Sequence, residues 1–420
     1  MAGFSRASFP ISQLPVLRKE PPLSSFRDAE VLLITEPADL MDYCARHQEE
    51  NCFYIDTEFV GEESYLPRLE VIQVLAGNEV AVVDYQAVHD PEPLWSLLHR
   101  PDSEIVLHSG SQDLSLLYLA SRKPVTNVFD TQIAAAFLGM GEQPGYADLV
   151  NQVTGVVLAK SQSYSSWSRR PLTEAQISYA ADDVRYLPEV YQWLKQELDS
   201  LGRLGWVKQA FQLLEDNAST ESTPAEELYL RIKGAGRLDR KDLAILRELA
   251  IWRDEEARSQ NRPLQRILRD EILVHLARQK PKSMQDLRAM RGFPVNQVDR
   301  LGPDILGAVK QGLNKPKEQW PLRLEGKPLD PKAQQLSSLL SVLLRIRAVE
   351  NRIAPSLIAS SSDLEDLAAL GTEARPESLP VLSGWQYDLV GRDLLRLVRG
   401  ELAIGVDPEN GSIRVVEINQ

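Results

Sequence analysis

Short runs of β-branched and aromatic residues, separated by turn-forming positions, organise the first half of the chain. Cys52–Val60, Leu69–Ala76 and Val80–Tyr85 are predicted as three successive strands, the second turn falling at Gly77-Asn78. Glu104–His108 and Asn127–Asp130 read as further short strands. Helix-periodic stretches follow them at Gln112–Ala120, Thr131–Leu138 and, most strongly, Leu172–Leu198. Thr173 and Gln176, just after Pro171, form a capping-box-like start to that last helix. Strands that first meander and then interleave with helices predict an α/β layer fold with a mixed sheet. Beyond it, Asn217–Glu226 is polar, lacks periodicity and contains Pro224, as a linker does. Glu227–Gly312 is helical throughout, with punctuation at Gly234, Pro263, Pro281 and Gly292-Phe293-Pro294. A second break at Asn314–Pro321 precedes another mainly helical region. That region ends in two alternating runs around Asn410-Gly411, a strong hairpin signal.

Composition narrows the class. A chain of 420 residues with 43% hydrophobic content suits a protein of two or three domains. No apolar run approaches membrane-spanning length, and the start, with Glu20, Asp28 and Glu30 close behind it, does not read as an export or transit signal. Cys44 and Cys52 are the only cysteines, so no disulfide framework is expected and a reducing, cytoplasmic setting is. The net charge of −13 is unevenly spread. Arg231–Trp320 holds 20 Lys+Arg against 12 Asp+Glu, a local excess of about +8 on an acidic body. A basic helical module of this kind fits a phosphate backbone, or is an ordinary solvated helix surface.

Candidate chemistry lies in three acidic blocks: Phe53-Tyr-Ile-Asp-Thr-Glu-Phe59, His108-Ser-Gly-Ser-Gln-Asp-Leu114 and Tyr179-Ala-Ala-Asp-Asp-Val184. Asp56 and Glu58, two apart on a strand, share a face. Alternating polar residues on a strand can simply be its solvated face. If Asp113 and Asp183 converge on the same point, however, the set could hold two divalent cations, which take hard oxygen ligands and serve in-line phosphodiester cleavage. Tyr179 lies one helical turn before Asp183, within reach of an attacking water. A phenol is a poor base at neutral pH, so its expected role is to orient that water.

These blocks, in this order and spacing, resemble the three exonuclease motifs of ribonuclease D, a family of the DEDD superfamily of 3′→5′ exonucleases. Phe129-Asp-Thr-Gln132, Lys160-Ser-Gln162, Trp167 and Arg170-Pro-Leu172 are similar to the stretches between its motifs. Asp239–Gly312 resembles the helical HRDC domain, and the last hundred residues look like a second, divergent one. The resemblance implies an α/β RNase H-like exonuclease core followed by two mainly α-helical HRDC-type domains. The expected limits are an extension at 1–29, exonuclease at 30–216, linker at 217–226, and helical domains at 227–315 and 316–420. It implies two Mg²⁺ or Mn²⁺ ions on Asp56, Glu58, Asp113 and Asp183, with Tyr179 as the water-orienting residue. Ser178 stands where the histidine subgroup needs its histidine, which leaves the tyrosine subtype. The expected activity is stepwise release of nucleoside 5′-monophosphates from single-stranded RNA or the 3′ tails of structured RNAs such as tRNA precursors, by a monomer. A DNA-directed exonuclease of repair and a non-catalytic nucleic-acid-binding scaffold are the alternatives.

Other residues carry two readings each. Lys160 and Arg170 flank a polar loop before the third block and are candidate phosphate contacts. Trp167 is a candidate stacking platform or a core residue. Asp130, at a strand end, is expected to be a structural cap or outer-shell residue, His108 to be partly core rather than a ligand, and Asp182 to be peripheral.

Overall fold

The computed structural model describes residues 25–61, 63–158, 165–219, 224–293, 295–322 and 330–418. A six-stranded mixed sheet is built from β1 (Glu30–Ile34), β2 (Cys52–Val60), β3 (Arg68–Ala76), β4 (Glu79–Asp84), β5 (Glu104–Leu107) and β6 (Val128–Asp130). Its order is β1-β4-β3-β2-β5-β6. The meander β2-β3-β4 is antiparallel, while β1, β5 and β6 add in parallel. The tight turn at Gly77 (φ 55°) makes the β3–β4 return possible.

Helices cover both faces. Phe53, Ile55, Ile72, Val74, Ala81 and Val83 form one apolar face, which packs on α1 (Pro37–Arg46), α2 (Glu92–Leu98) and α3 (Ser111–Ser121). The other face presents Tyr54, Val71, Leu75, Val80, Val82 and Val106. It is covered by α4 (Thr131–Ala136), α5 (Tyr146–Thr154), α6 (Glu174–Arg185), α7 (Leu187–Ser200) and α8 (Leu204–Ala218). The expected long helix over Leu172–Leu198 is thus two, divided at Tyr186. Pro188 has no N–H to continue the ladder and is tolerated only in a new first turn. The Thr173/Gln176 capping box forms as expected.

Downstream helices are α9 (Arg240–Gln260), α10 (Leu264–Ile267), α11 (Asp270–Gln279), α12 (Met284–Ala289) and α13 (Val298–Asn314). They enclose their own core of Leu243, Leu246, Leu249, Leu273, Leu276, Leu301 and Ile305. This unit meets the exonuclease region at the loop after β2. There the Tyr65 hydroxyl donates to Asp254 (2.6 Å), and the Arg258 guanidinium lies 4.8 Å over the Tyr65 ring.

The chain then repeats a rhythm. α14 (Pro331–Glu350), α15 (Pro355–Ile358) and α16 (Ser361–Leu370) run 20, 4 and 10 residues, against 21, 4 and 10 for α9, α10 and α11. Yet this region has no separate core. Leu340, Leu343, Leu394 and Leu395 belong to the same apolar cluster as Phe129 and Leu194. Arg203 donates to the carbonyls of Phe137, Asn351 and Arg352, the Ala354 N–H donates to Ala136, and Trp206 stacks on Trp385 at 4.8 Å. The expected hairpin forms from β7 (Leu402–Val406) and β8 (Ile413–Glu417), with Gly411 at φ 71° in its turn. Both cysteines are free, and no helix among the described residues is long and apolar enough to cross a membrane.

Candidate active site

Three elements bring the acidic blocks together over one face of the sheet, at the central strand β2. β2 is extended through Asp56 and Glu58, so their side chains emerge on the face that α6 covers. A bulge directly after Glu58 ends that regularity. α6 crosses β2, β3 and β4 on Ala180, Ala181 and Val184, all buried, and their small size draws the helix close. The same helix face then points Tyr179 and Asp183 at the carboxylates of β2. Asp56, Glu58 and Asp183 each offer an oxygen within 4.8 Å of the others. Together with His108, Tyr146 and Tyr179 they line a cavity of about 130 Å³.

Asp113 stands slightly apart. It is on the first turn of α3, 9% exposed, and accepts a hydrogen bond from the Thr57 hydroxyl at 2.5 Å. The turn carrying it is tightly determined. Ser109 adopts φ 59°, and a Cβ at Gly110 would fall 2.1 Å from the buried Leu107 side chain, which would have to move to admit it. Asp130 caps α4 through the N–H groups of Gln132 and Ile133, and also accepts from those of Ser109 and Gly110. The expected structural cap therefore also anchors the second acidic block.

No lysine or arginine among the described residues pairs with Asp56, Glu58, Asp113 or Asp183. Burial, then repulsion, consequently raises their proton affinities. Glu58 is pushed up to about 8 by burial, then by Asp183 and Asp113. Asp183 is pushed up to about 8 by burial and its neighbour Asp182. Asp56 is raised well above the carboxylate range by burial, then by Asp113, Asp183 and Glu58. Burial raises Asp113 too, against the opposing Thr57 hydrogen bond. Four acids in this condition fit a divalent cation, which supplies the missing positive charge and the hard-ligand partner at once.

Other candidates fall elsewhere. Arg170 is held by Asp84 through two hydrogen bonds, by Glu70 at 3.4 Å, and by the carbonyl of Trp167. Its guanidinium is thus anchored to carboxylates of β3 and β4, a structural role that the sequence reading did not include. Trp167 is 3% exposed, a core residue with its ring 6.2 Å from that of Tyr179. Lys160 lies outside the described residues. Asp182 points away to pair with Arg185 at 3.2 Å. His108 is partly buried, its Nδ1 2.9 Å from the Thr131 hydroxyl, and burial lowers its pKa. Two residues of the site escaped the sequence reading. Thr57 carries a signal, being the residue between the paired carboxylates that must face the other way. Tyr146, whose hydroxyl donates to the Asp182 carbonyl (3.1 Å), carries none, since the turn that delivers it is set by tertiary packing.

Comparison with known proteins agrees with this geometry. The family model described as 3′-5′ exonuclease matches residues 31–199, and that of the HRDC domain matches residues 242–309. Ribonuclease D of Granulibacter bethesdensis is 38% identical over 89% of this chain and 94% of its own length. Ribonuclease D of Gluconacetobacter diazotrophicus is 39% identical over 90% and 95% respectively. Among solved structures, Escherichia coli RNase D, described as an exoribonuclease involved in structured RNA processing, superimposes with a TM-score of 0.77 at 28% identity. The match covers 88% of this chain and 99% of that one. A mixed-sheet RNase H-like exonuclease core joined to a helical HRDC domain, with a cluster of carboxylates over its central strand, makes this chain a member of the ribonuclease D family of 3′→5′ exonucleases.

Proposed function

We propose that this protein is a two-metal 3′→5′ exoribonuclease of the tyrosine subtype, trimming the 3′ tails of structured RNAs such as tRNA precursors. One observation carries the reading: Asp56, Glu58 and Asp183 converge within 4.8 Å with no cationic side chain among the described residues to neutralise them. Those three would hold one Mg²⁺ or Mn²⁺, and Asp56 shared with Asp113 would hold a second. Bound there, such ions supply a water of lowered pKa and stabilise the departing 3′-oxyanion. The chain's own residues do the rest. Tyr179, at the cavity wall one turn from Asp183, orients the nucleophile through its hydroxyl. Thr57 holds Asp113, and the Asp130-anchored turn holds the start of α3.

Domain limits of 30–216 for the exonuclease, 227–315 for HRDC and 316–420 for a second HRDC-type domain belong to the same proposal. The recurring 20–4–10 pattern of helix lengths supports the second domain. A monomeric state and a cytoplasmic location go with it, the latter supported by two free cysteines. Purified protein incubated with Mg²⁺ and 5′-labelled RNA and DNA of equal sequence tests the function. A one-nucleotide ladder on RNA, abolished by chelator, is expected. Faster cleavage of the DNA would favour a repair exonuclease, and no cleavage of either would favour a binding scaffold.

A further inference from the structure

The strand facing the first acidic block carries an amide with nothing to bond. Gln73 lies directly opposite Asp56 in the antiparallel β2/β3 pair, so both side chains stand on one sheet face with Cβ atoms about 5 Å apart. Gln73 is 0% exposed, and neither its Oε1 nor its Nε2 has a hydrogen-bond partner. Its neighbours on that face, Val71 and Leu75 along β3 and Val82 across on β4, are buried and apolar. A leucine or methionine would fill such a position without leaving polar atoms unbonded, whereas a buried, unbonded amide is unfavourable. The polar group that the register sets beside it is the Asp56 carboxylate, which has no cationic partner among the described residues either.

We propose that Gln73 is the positioning residue of Asp56, its Nε2–H donating to one carboxylate oxygen when a divalent cation engages the other. This rests on the reading of Asp56 as a metal ligand. The amide then fixes the ligand's rotamer from behind, as outer partners of metal-bound carboxylates do, and the loss of such a partner weakens metal affinity about 10- to 100-fold. The unbonded amide is the cost of keeping that partner in place before the metal arrives.

Calorimetric titration of Mn²⁺ into full-length wild type, Gln73→Met, Gln73→Leu and Asp56→Ala tests this, alongside the melting temperature in chelator. Both Gln73 variants keep the packing volume and remove the amide. Expected is Mn²⁺ affinity reduced at least tenfold, with an unchanged or higher melting temperature in chelator. Turnover should fall with KM for RNA unchanged and recover partly at high Mn²⁺. Mn²⁺ affinity within twofold of wild type in either folded Gln73 variant overturns the proposal, and a lowered melting temperature beside it would mark Gln73 as a core residue only. Unaltered Mn²⁺ binding by Asp56→Ala overturns the metal-ligand reading instead, and is distinguishable from failure at Gln73.

Discussion

Two groups of carboxylates lie along the β2–β4 meander and meet opposite fates. Glu70 and Asp84 are 1% and 3% exposed, and each is held by arginine: Arg68 to Glu70 at 2.6 Å, Arg170 to both. Asp56, Glu58 and Asp183 have no such partner among the described residues, and burial, then mutual repulsion, raises their proton affinity. Burial alone therefore does not mark a functional carboxylate in this protein. The distinguishing feature is burial without a cationic partner among the described residues, a charge imbalance that a bound divalent cation would offset.

The sharpest way to break the comparison is to delete one member of each group. Asp56→Ala or Asp183→Ala should lower the rate of RNA hydrolysis more than about a thousandfold. The melting temperature in chelator should hold or rise, since a repelling, desolvated acid is gone. More than a few per cent of wild-type rate in either variant would end the two-metal assignment. Asp84→Ala should do the reverse, because it strands the Arg170 guanidinium. Breaking such a buried pair costs about 3 kcal/mol, read as a lower denaturation midpoint, while turnover per folded molecule stays near wild type. Next in size is Tyr179→Phe, which removes one hydroxyl and leaves the ring beside Trp167. A loss of about 10²-fold in kcat with RNA binding retained is expected, and an unchanged kcat would make Tyr179 a packing residue.

The smallest effect is a pH dependence. Glu58 and Asp183 have folded-state pKa values near 8, against ordinary values of 4.5 and 3.8. The folded state thus binds their protons more tightly than the unfolded one. The stability this gives is fully present below about pH 4 and is lost progressively as pH rises to about 8. In chelator the melting temperature should fall over that window. The stabilisation on adding Mn²⁺ should be larger at pH 8.5 than at pH 6, because at pH 6 the metal must first displace protons. A metal-induced shift independent of pH would show that these acids are already ionised in the metal-free protein.

Much of this was legible in the residues, and the exceptions share a cause. β2 runs over the residues its composition predicts, β3 starts one residue earlier and β4 is shifted by one residue at both ends, because side-chain type and short turns are local signals. The three acidic blocks were legible for the same reason, each being a short pattern on one element. The ion pairs of Arg170 were not legible because its partners Glu70 and Asp84 lie 100 and 86 residues away. Gln73 was invisible as anything but a strand residue until the register placed it against Asp56. The division of the Leu172–Leu198 helix was signalled locally, by Pro188, and outweighed in the sequence reading by strong periodicity.

The helical region after residue 330 shares one apolar cluster with the exonuclease sheet and is sealed to it by Arg203 and the Trp206–Trp385 stack. Its consequence falls on the protein's birth. The nascent nuclease sheet leaves the ribosome with the surface around Ala136, Phe137 and Trp206 bare. The segment that covers it is encoded more than a hundred residues later, beyond the self-contained α9–α13 unit. At translation speeds of about 5–20 residues per second that delay is on the order of ten seconds. Through that interval the first domain is a sticky, incomplete body, and a ribosome that stalls or stops early releases it in that state.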